Sequence, residues 1–271
     1  MNSTLLADNS EASLKKFLNT LSPVDEVGAK ARVEMLATRS IKTSSKNWAI
    51  DLAIRMVDLT TLEGADTPGK VRALCAKGVY PDPTDLSVPS VGAICVYNDM
   101  VKIARQALDA GGGKDIPVAA VSTAFPSGRA SMEVKVQDTR DAIANGASEI
   151  DMVIDRGAFL AGKLGFVFDQ IKAIKEVCGD KVHLKVILET GELVTLDNVR
   201  KASYLAMLAG ADFIKTSTGK VAPSATAPVV YVMLEAVRDY YKMTGTRIGV
   251  KPAGGIRNTK DAIKQLVLVN E

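Results

Sequence analysis

From residue 49 onward the chain alternates short apolar runs with segments of helical period, and this rhythm limits the fold more than any other feature. Strand-like runs fall at 54–59, 91–96, 118–121, 149–154, 182–188, 212–215 and 247–250. Between and after them lie stretches with apolar residues at helical spacing, at 68–77, 100–110, 132–144, 166–177, 196–208, 228–241 and 260–269. The unit recurs at roughly 30 residues, the size of a strand–helix–strand crossover. Strands that alternate with helices join through right-handed crossovers into a parallel sheet. The repeat is architectural, since no sequence words recur with it.

An open doubly wound sheet and a closed eight-stranded barrel both satisfy this rhythm. No glycine-rich dinucleotide fingerprint follows the first strand, where the chain reads Asp58-Leu59-Thr60-Thr61-Leu62-Glu63-Gly64. Polar and charged residues gather instead at the carboxyl ends of the strands, where a (β/α)₈ barrel builds its active site. The expected fold is therefore α/β, a TIM-type barrel over residues 50–271. Seven units are visible, and the eighth is expected to be missing from this chain. Residues 1–49 read as a helical extension packed outside the barrel, interrupted at Pro23 and over 42–46. An unclosed barrel would leave edge strands that need cover, from the extension or from another subunit.

Composition narrows the function. A hydrophobic fraction of 47% fits a soluble chain with a sizeable core, and no apolar run approaches the ~18 residues of a membrane helix. A net charge of +3, scattered basic residues and 5% aromatics give no nucleic-acid-binding footprint. The amino terminus lacks the basic start and apolar core of a secretion signal. Cys75, Cys95 and Cys178 lack metal-ligand spacing and read as reduced thiols, which together point to the cytoplasm. The single histidine, His183, stands at the start of a strand and reads as structural, leaving lysines and carboxylates to carry any catalysis.

Two lysines are placed for such work. Lys215 in FIKTSTGK and Lys251 in GVKPAGGIR end consecutive strands. Adjacent strands run about 4.8 Å apart, so inward-facing amines would lie within ~5 Å and repel by roughly 3 kcal/mol at an effective dielectric near 20. That repulsion, with burial, would pull one amine well below the ordinary lysine range and leave it a nucleophile able to form a Schiff base. The competing expectation is that each lysine has its own partner, Asp212 being one candidate. Asp151 sits mid-strand in EIDMVID, and alternation puts Glu149, Asp151 and Val153 on one face. Facing inward, Asp151 could pair with Lys185 and move protons through a water; a purely structural ion pair would look the same. Asp58 and Thr60 could bind a substrate hydroxyl or cap the next helix. The 216–220 loop, with Thr218, Gly219 and Lys220, and the glycines Gly254 and Gly255 offer backbone amides that can cradle a phosphate. The run 123–128 reads as a loop.

These residues carry a resemblance. DLTTL at 58–62, AICVY at 93–97, EIDMVI at 149–154, LKVILETGEL at 184–193, DFIKTSTGK at 212–220 and VKPAGGIR at 250–257 resemble the deoxyribose-phosphate aldolases, class I aldolases on a TIM barrel. The resemblance runs from about residue 58 to the last residue, and the final three motifs are the most specific. It implies that Lys215 forms the imine, that Lys251 tunes it, and that Asp151 shuttles protons through water. It places Asp58 and Thr60 in the substrate pocket and Gly219, Lys220, Gly254 and Gly255 near the phosphate, and Lys185 and Thr218 are expected among the substrate-binding residues. The implied reaction is reversible cleavage of 2-deoxyribose 5-phosphate to glyceraldehyde 3-phosphate and acetaldehyde, within deoxyribose phosphate catabolism, with no metal or organic cofactor. The expected partner is a small phosphosugar, not nucleic acid or membrane, and a homo-oligomer is compatible with this reading. Two departures stand out. Asn98-Asp99 replaces an expected proline and basic residue, and the family's eighth strand, with its glycine- and serine-containing phosphate loop, has no counterpart here. The alternatives are another Schiff-base phosphosugar aldolase or transaldolase, and a truncated, inactive homologue acting as a binding protein.

Overall fold

In the computed structural model, residues 5, 6 and 8–271 are described; residues 1–4 and 7 of the expected extension lie outside them. The strands are β1 (Asp58–Thr60), β2 (Ala93–Tyr97), β3 (Val118–Ser122), β4 (Glu149–Val153), β5 (His183–Ile187), β6 (Phe213–Lys215) and β7 (Gly249–Lys251). The helices are α1 (Glu11–Leu18), α2 (Glu26–Ala37), α3 (Thr43–Arg55), α4 (Pro68–Val79), α5 (Val101–Ala110), α6 (Met132–Ala144), α7 (Arg156–Leu160), α8 (Leu164–Cys178), α9 (Leu196–Leu208), α10 (Ala227–Thr244) and α11 (Thr259–Asn270). Among the described residues the strands form one parallel sheet in sequence order, β1 to β7. The sheet curls until its two ends meet: Lys251 Nζ on β7 lies 2.6 Å from Asp58 Oδ1 on β1 and 2.8 Å from the Met56 carbonyl oxygen. The architecture is a TIM-type fold showing seven of the eight strand–helix units.

Strand alternation explains which residues meet where. Ile94 and Val96, Val118 and Ala120, Ile150 and Met152, Leu184 and Val186, and Ile214 all face the helices and are fully buried in the main core. Each such large side chain contributes roughly 1.5–3 kcal/mol of burial. The residues between them face the interior. There Cys95, Ala119 and Val121 pack with Leu62 on one side, while Asp151, Lys185 and Lys215 line the other. Helix starts are capped by their own sequences: Thr67, Ser131, Asp155, Thr195 and Asn258 each accept a first-turn backbone N–H.

The first three helices pack on the helices that surround the sheet. Helix α1 packs on α8 and α9, with Phe17 edge-on to Tyr204 at 6.0 Å. Helix α2 packs on α10 and α11, and α3 packs on α11. Two expectations need correction. Residues 54 and 55 belong to α3, and β1 begins only at Asp58, because a short apolar run continues a helix face as readily as it starts a strand. The 42–46 stretch opens α3 and does not break it, and the short helix α7 was not anticipated.

Gly249 on β7 is a point of close approach. A Cβ there would fall 2.0 Å from Cδ1 of Phe213 on β6. Gly249→Val should therefore destabilise the fold by about 1–3 kcal/mol, read as a lowered urea midpoint at unchanged slope.

Candidate active site

The strands bring three lysines and three carboxylates into the barrel interior. Lys185 Nζ on β5 lies 2.6 Å from Glu149 Oε2, 2.8 Å from Asp58 Oδ2 and 3.2 Å from Asp151 Oδ1. Lys215 Nζ on β6 lies 2.5 Å from Asp151 Oδ2, and Lys251 completes the set on Asp58. Register makes this possible: Asp151 stands opposite Lys185, and Lys215 opposite Lys251. The six charges sum formally to zero, the condition under which buried ions are tolerated.

Electrostatics follow from these pairings. Burial alone would raise the Asp58 carboxyl, but the ammonium groups of Lys185 and Lys251 outweigh it and hold Asp58 well below the usual carboxylate range. Burial would likewise raise Asp151, and Lys185 and Lys215 turn the balance downward. Lys185 loses by burial but is held well above the ordinary lysine value by Asp151, Asp58 and Glu149. Burial also disfavours the Lys215 ammonium, yet Asp151 outweighs burial and raises its pKa. The Cys95 thiol, 4.0 Å from Asp151 Oδ2, is pushed up to about 12 by burial and then by that carboxylate, so it stays protonated near neutral pH.

The expected depression of Lys215 by Lys251 is thus corrected. The two residues are register partners, but their amines turn to different carboxylates, so opposite charges govern Lys215. Asp212 serves neither; it pairs with Lys175 at 2.7 Å and accepts from the Leu184 N–H. Asp58 and Lys185, expected as substrate contacts, are committed to the interior network. Thr60 does not cap α4, a task taken by Thr67; its hydroxyl donates to the Asp58 carbonyl. His183 is exposed at the floor of the barrel, 4.0 Å from Glu149.

Above the lysines the loops after β6 and β7 are locked together. The Thr216 hydroxyl donates to the Ala253 carbonyl and accepts from the Ala253 N–H, while the Thr216 N–H donates to the Lys251 carbonyl. Gly219 and Gly254 both have positive φ, +81° and +78°. A Cβ on Gly254 would strike Ser224 at 2.6 Å and approach Gly219 Cα at 3.3 Å, so the two glycine loops touch. Gly255 lies beside them at φ +80°. Lys220 Nζ reaches across the mouth to Glu63 at 2.9 Å. Thr218 is held from below by the buried carboxylate of Glu189.

Two residues escaped sequence reasoning. Glu149 was placed on the correct face but given no role; its position two residues before Asp151 was a usable signal. Glu189 gave none, because its left-handed backbone (φ +52°) is not legible from residue type.

The network sets a pH window for stability. Asp58 and Asp151 are depressed on folding, so their contribution is present above about pH 4 and lost as pH falls below it; Lys185 and Lys215 are raised, so theirs is present below about pH 10 and lost at higher pH. Asp58→Asn, which strips Lys251 of its carboxylate and Lys185 of one of three, should cost about 3–5 kcal/mol in urea unfolding at pH 7, and a change under 1 kcal/mol would contradict this account.

Comparison with known proteins adds relatives. Residues 52–269 match the family model described as DeoC/LacD family aldolase. The chain is 45% identical over 251 residues to the deoxyribose-phosphate aldolase of Homo sapiens, covering 89% of this chain and 78% of that one. It is 44% identical over 246 residues to that of Bos taurus, covering 88% and 77%. Among solved structures, the aldolase QR15 superposes with a TM-score of 0.69 at 28% identity, over 80% of this chain and 87% of that one. The deoxyribose phosphate aldolase from Aeropyrum pernix, described as tetrameric, shares the fold with a TM-score of 0.65 at 22% identity, over 84% and 91%.

Proposed function

The chain belongs to the DeoC/LacD family of aldolases and is a carbon–carbon lyase; from that premise we propose that it cleaves 2-deoxyribose 5-phosphate through an imine on Lys215. The observation that carries the proposal is the buried Lys215 amine at the strand end, 2.5 Å from Asp151 and beneath two touching glycine loops.

The steps follow from the groups present. Lys215 gives up a proton and its neutral amine attacks the C1 aldehyde; loss of water leaves a protonated imine. The imine is the electron sink. Asp151, through a bridging water, accepts the proton of the C3 hydroxyl as the C2–C3 bond breaks, and glyceraldehyde 3-phosphate departs. The enamine on Lys215 takes a proton at C2, and hydrolysis releases acetaldehyde and restores the amine. Gly219, Gly254, Gly255 and Lys220 would receive the phosphate, with Lys220 exchanging Glu63 for the ligand. Thr218 would support that loop, and the Thr60 hydroxyl would accept from a sugar hydroxyl. Asp58 and Lys185 act as positioning groups.

Lys251 tunes the site by partner exchange. It neutralises Asp58; without it Lys185 would shift toward Asp58, leaving Asp151 to grip Lys215 more tightly. The intact lysine–carboxylate set favours this reading over an inactive binding protein. We further assign residues 50–271 to the catalytic barrel and 1–49 to its outer layer, with the family match over 52–269 in support. Unpaired, buried cysteines support a reducing compartment such as the cytoplasm.

Borohydride trapping with 2-deoxyribose 5-phosphate should label Lys215, and acetaldehyde should appear among the products, separating this reaction from a transaldolase. Lys215→Ala should abolish the adduct and lower turnover on the order of 10³-fold or more; normal turnover in that variant would sink the proposal. Asp151→Asn should split the two readouts. Turnover falls about 10²-fold or more with the lost proton carrier, while the pH at which the imine forms with a simple aldehyde moves down, because the charge holding the Lys215 proton is gone. An upward move would contradict the assigned role.

A further inference from the structure

We infer that Glu189 is a positioning residue that orients the phosphate-receiving loop 216–220 by fixing the direction of the Thr218 hydroxyl. The inference rests on the phosphosugar reading above and extends it to a residue that never touches the ligand.

Glu189 follows β5 and is fully buried, at 0% exposure. Its backbone is left-handed, at φ +52° and ψ 60°. Glycine adopts this region freely, whereas a residue with a side chain does so at a cost. The conformation aims the carboxylate at the neighbouring loop. There the Thr218 N–H donates to Oε1 at 3.2 Å, and the Thr218 hydroxyl donates to Oε2 at 2.5 Å. With its hydrogen committed downward, Thr218 Oγ1 accepts the Lys220 N–H at 3.1 Å. That bond curls 218–220 over itself and leaves Gly219, at φ +81°, on the crest against Gly254. On both sides of Glu189 the backbone is pinned to the same partner segment, Leu188 N–H to the Lys215 carbonyl and Thr190 N–H to the Thr216 carbonyl, each at 2.9 Å. Strand and carboxylate therefore act together on the reacting lysine's own loop.

The arrangement requires two acceptors from residue 189. A carboxylate supplies them; an amide of the same shape supplies one acceptor and one donor group. In Glu189→Gln, one orientation keeps the amide oxygen on the Thr218 N–H and lets the amide N–H₂ donate to Thr218 Oγ1, which turns the hydroxyl hydrogen away; the other sets the amide N–H₂ against the Thr218 N–H. The first reverses the bond that fixes the hydroxyl and the second sets two donors face to face, so in either the loop loses the direction that the carboxylate gives it.

The test measures kcat/KM for 2-deoxyribose 5-phosphate and for unphosphorylated 2-deoxyribose, together with inorganic phosphate binding by calorimetry. Glu189→Gln should lower the ratio of the two kcat/KM values by roughly tenfold or more, through KM for the phosphosugar, and weaken phosphate by a similar factor. Thr218→Val should reproduce both losses, and Thr218→Ser, which restores the hydroxyl, should lose clearly less of both than Thr218→Val. A wild-type ratio and phosphate affinity in Glu189→Gln would overturn the assignment, as would an equal loss on both sugars. Should that variant not fold, the Thr218 pair decides: wild-type ratio and affinity in Thr218→Val overturn it. If the wild-type protein cleaves neither sugar, the functional reading fails on its own, and the phosphate titrations still decide the role of Glu189.

Discussion

One carboxylate holds the ends of this sheet in relation to its middle. Asp58 on β1 binds Lys185 of β5 with one oxygen and Lys251 of β7 with the other, so a single side chain links strands 127 and 193 residues away. Seven short parallel strands have no hydrogen-bonded closure between β7 and β1 among the described residues. An ionic contact across that seam does what a ladder does elsewhere. It succeeds because the six charges sum to zero; a bare ion at this depth would cost several kcal/mol.

The same pairing governs protonation. A lysine crowded by another lysine becomes a free amine; a lysine on a carboxylate stays an ammonium. The structure takes the second course for Lys215 while keeping its partner carboxylate in contact with Lys185 as well. Asp151 is therefore shared between two cations, and any event that moves one of them changes its grip on the other. Asp58 bears on that shared contact from the far side of the barrel, through Lys185 and Lys251.

The mouth of the barrel is built by backbone geometry more than by charge. Positive φ values at Gly219, Gly254 and Gly255 and at Glu189 turn the strand ends over the lysines, and Thr216 and Thr218 tie the turned segments together. These ties hold the two loops together above the paired charges of the interior.

The amino-acid order by itself determined the strand–helix alternation, the inward face of each strand, and the identity of the residues gathered there. Asp151 and Lys185 were legible as a pair because period-two alternation and parallel register are local rules. The strand-end lysines and the glycine loops were legible for the same reason. What only the tertiary structure decided was the pairing of the charges. Adjacent positions suggested that Lys215 and Lys251 repel, yet their flexible side chains reach carboxylates on β4 and β1 instead. Glu189 and the start of β1 at Asp58 belong to the same class. Coulomb energy depends on distances that the chain acquires only after strands far apart in sequence are brought within a few ångströms, and no local pattern encodes them.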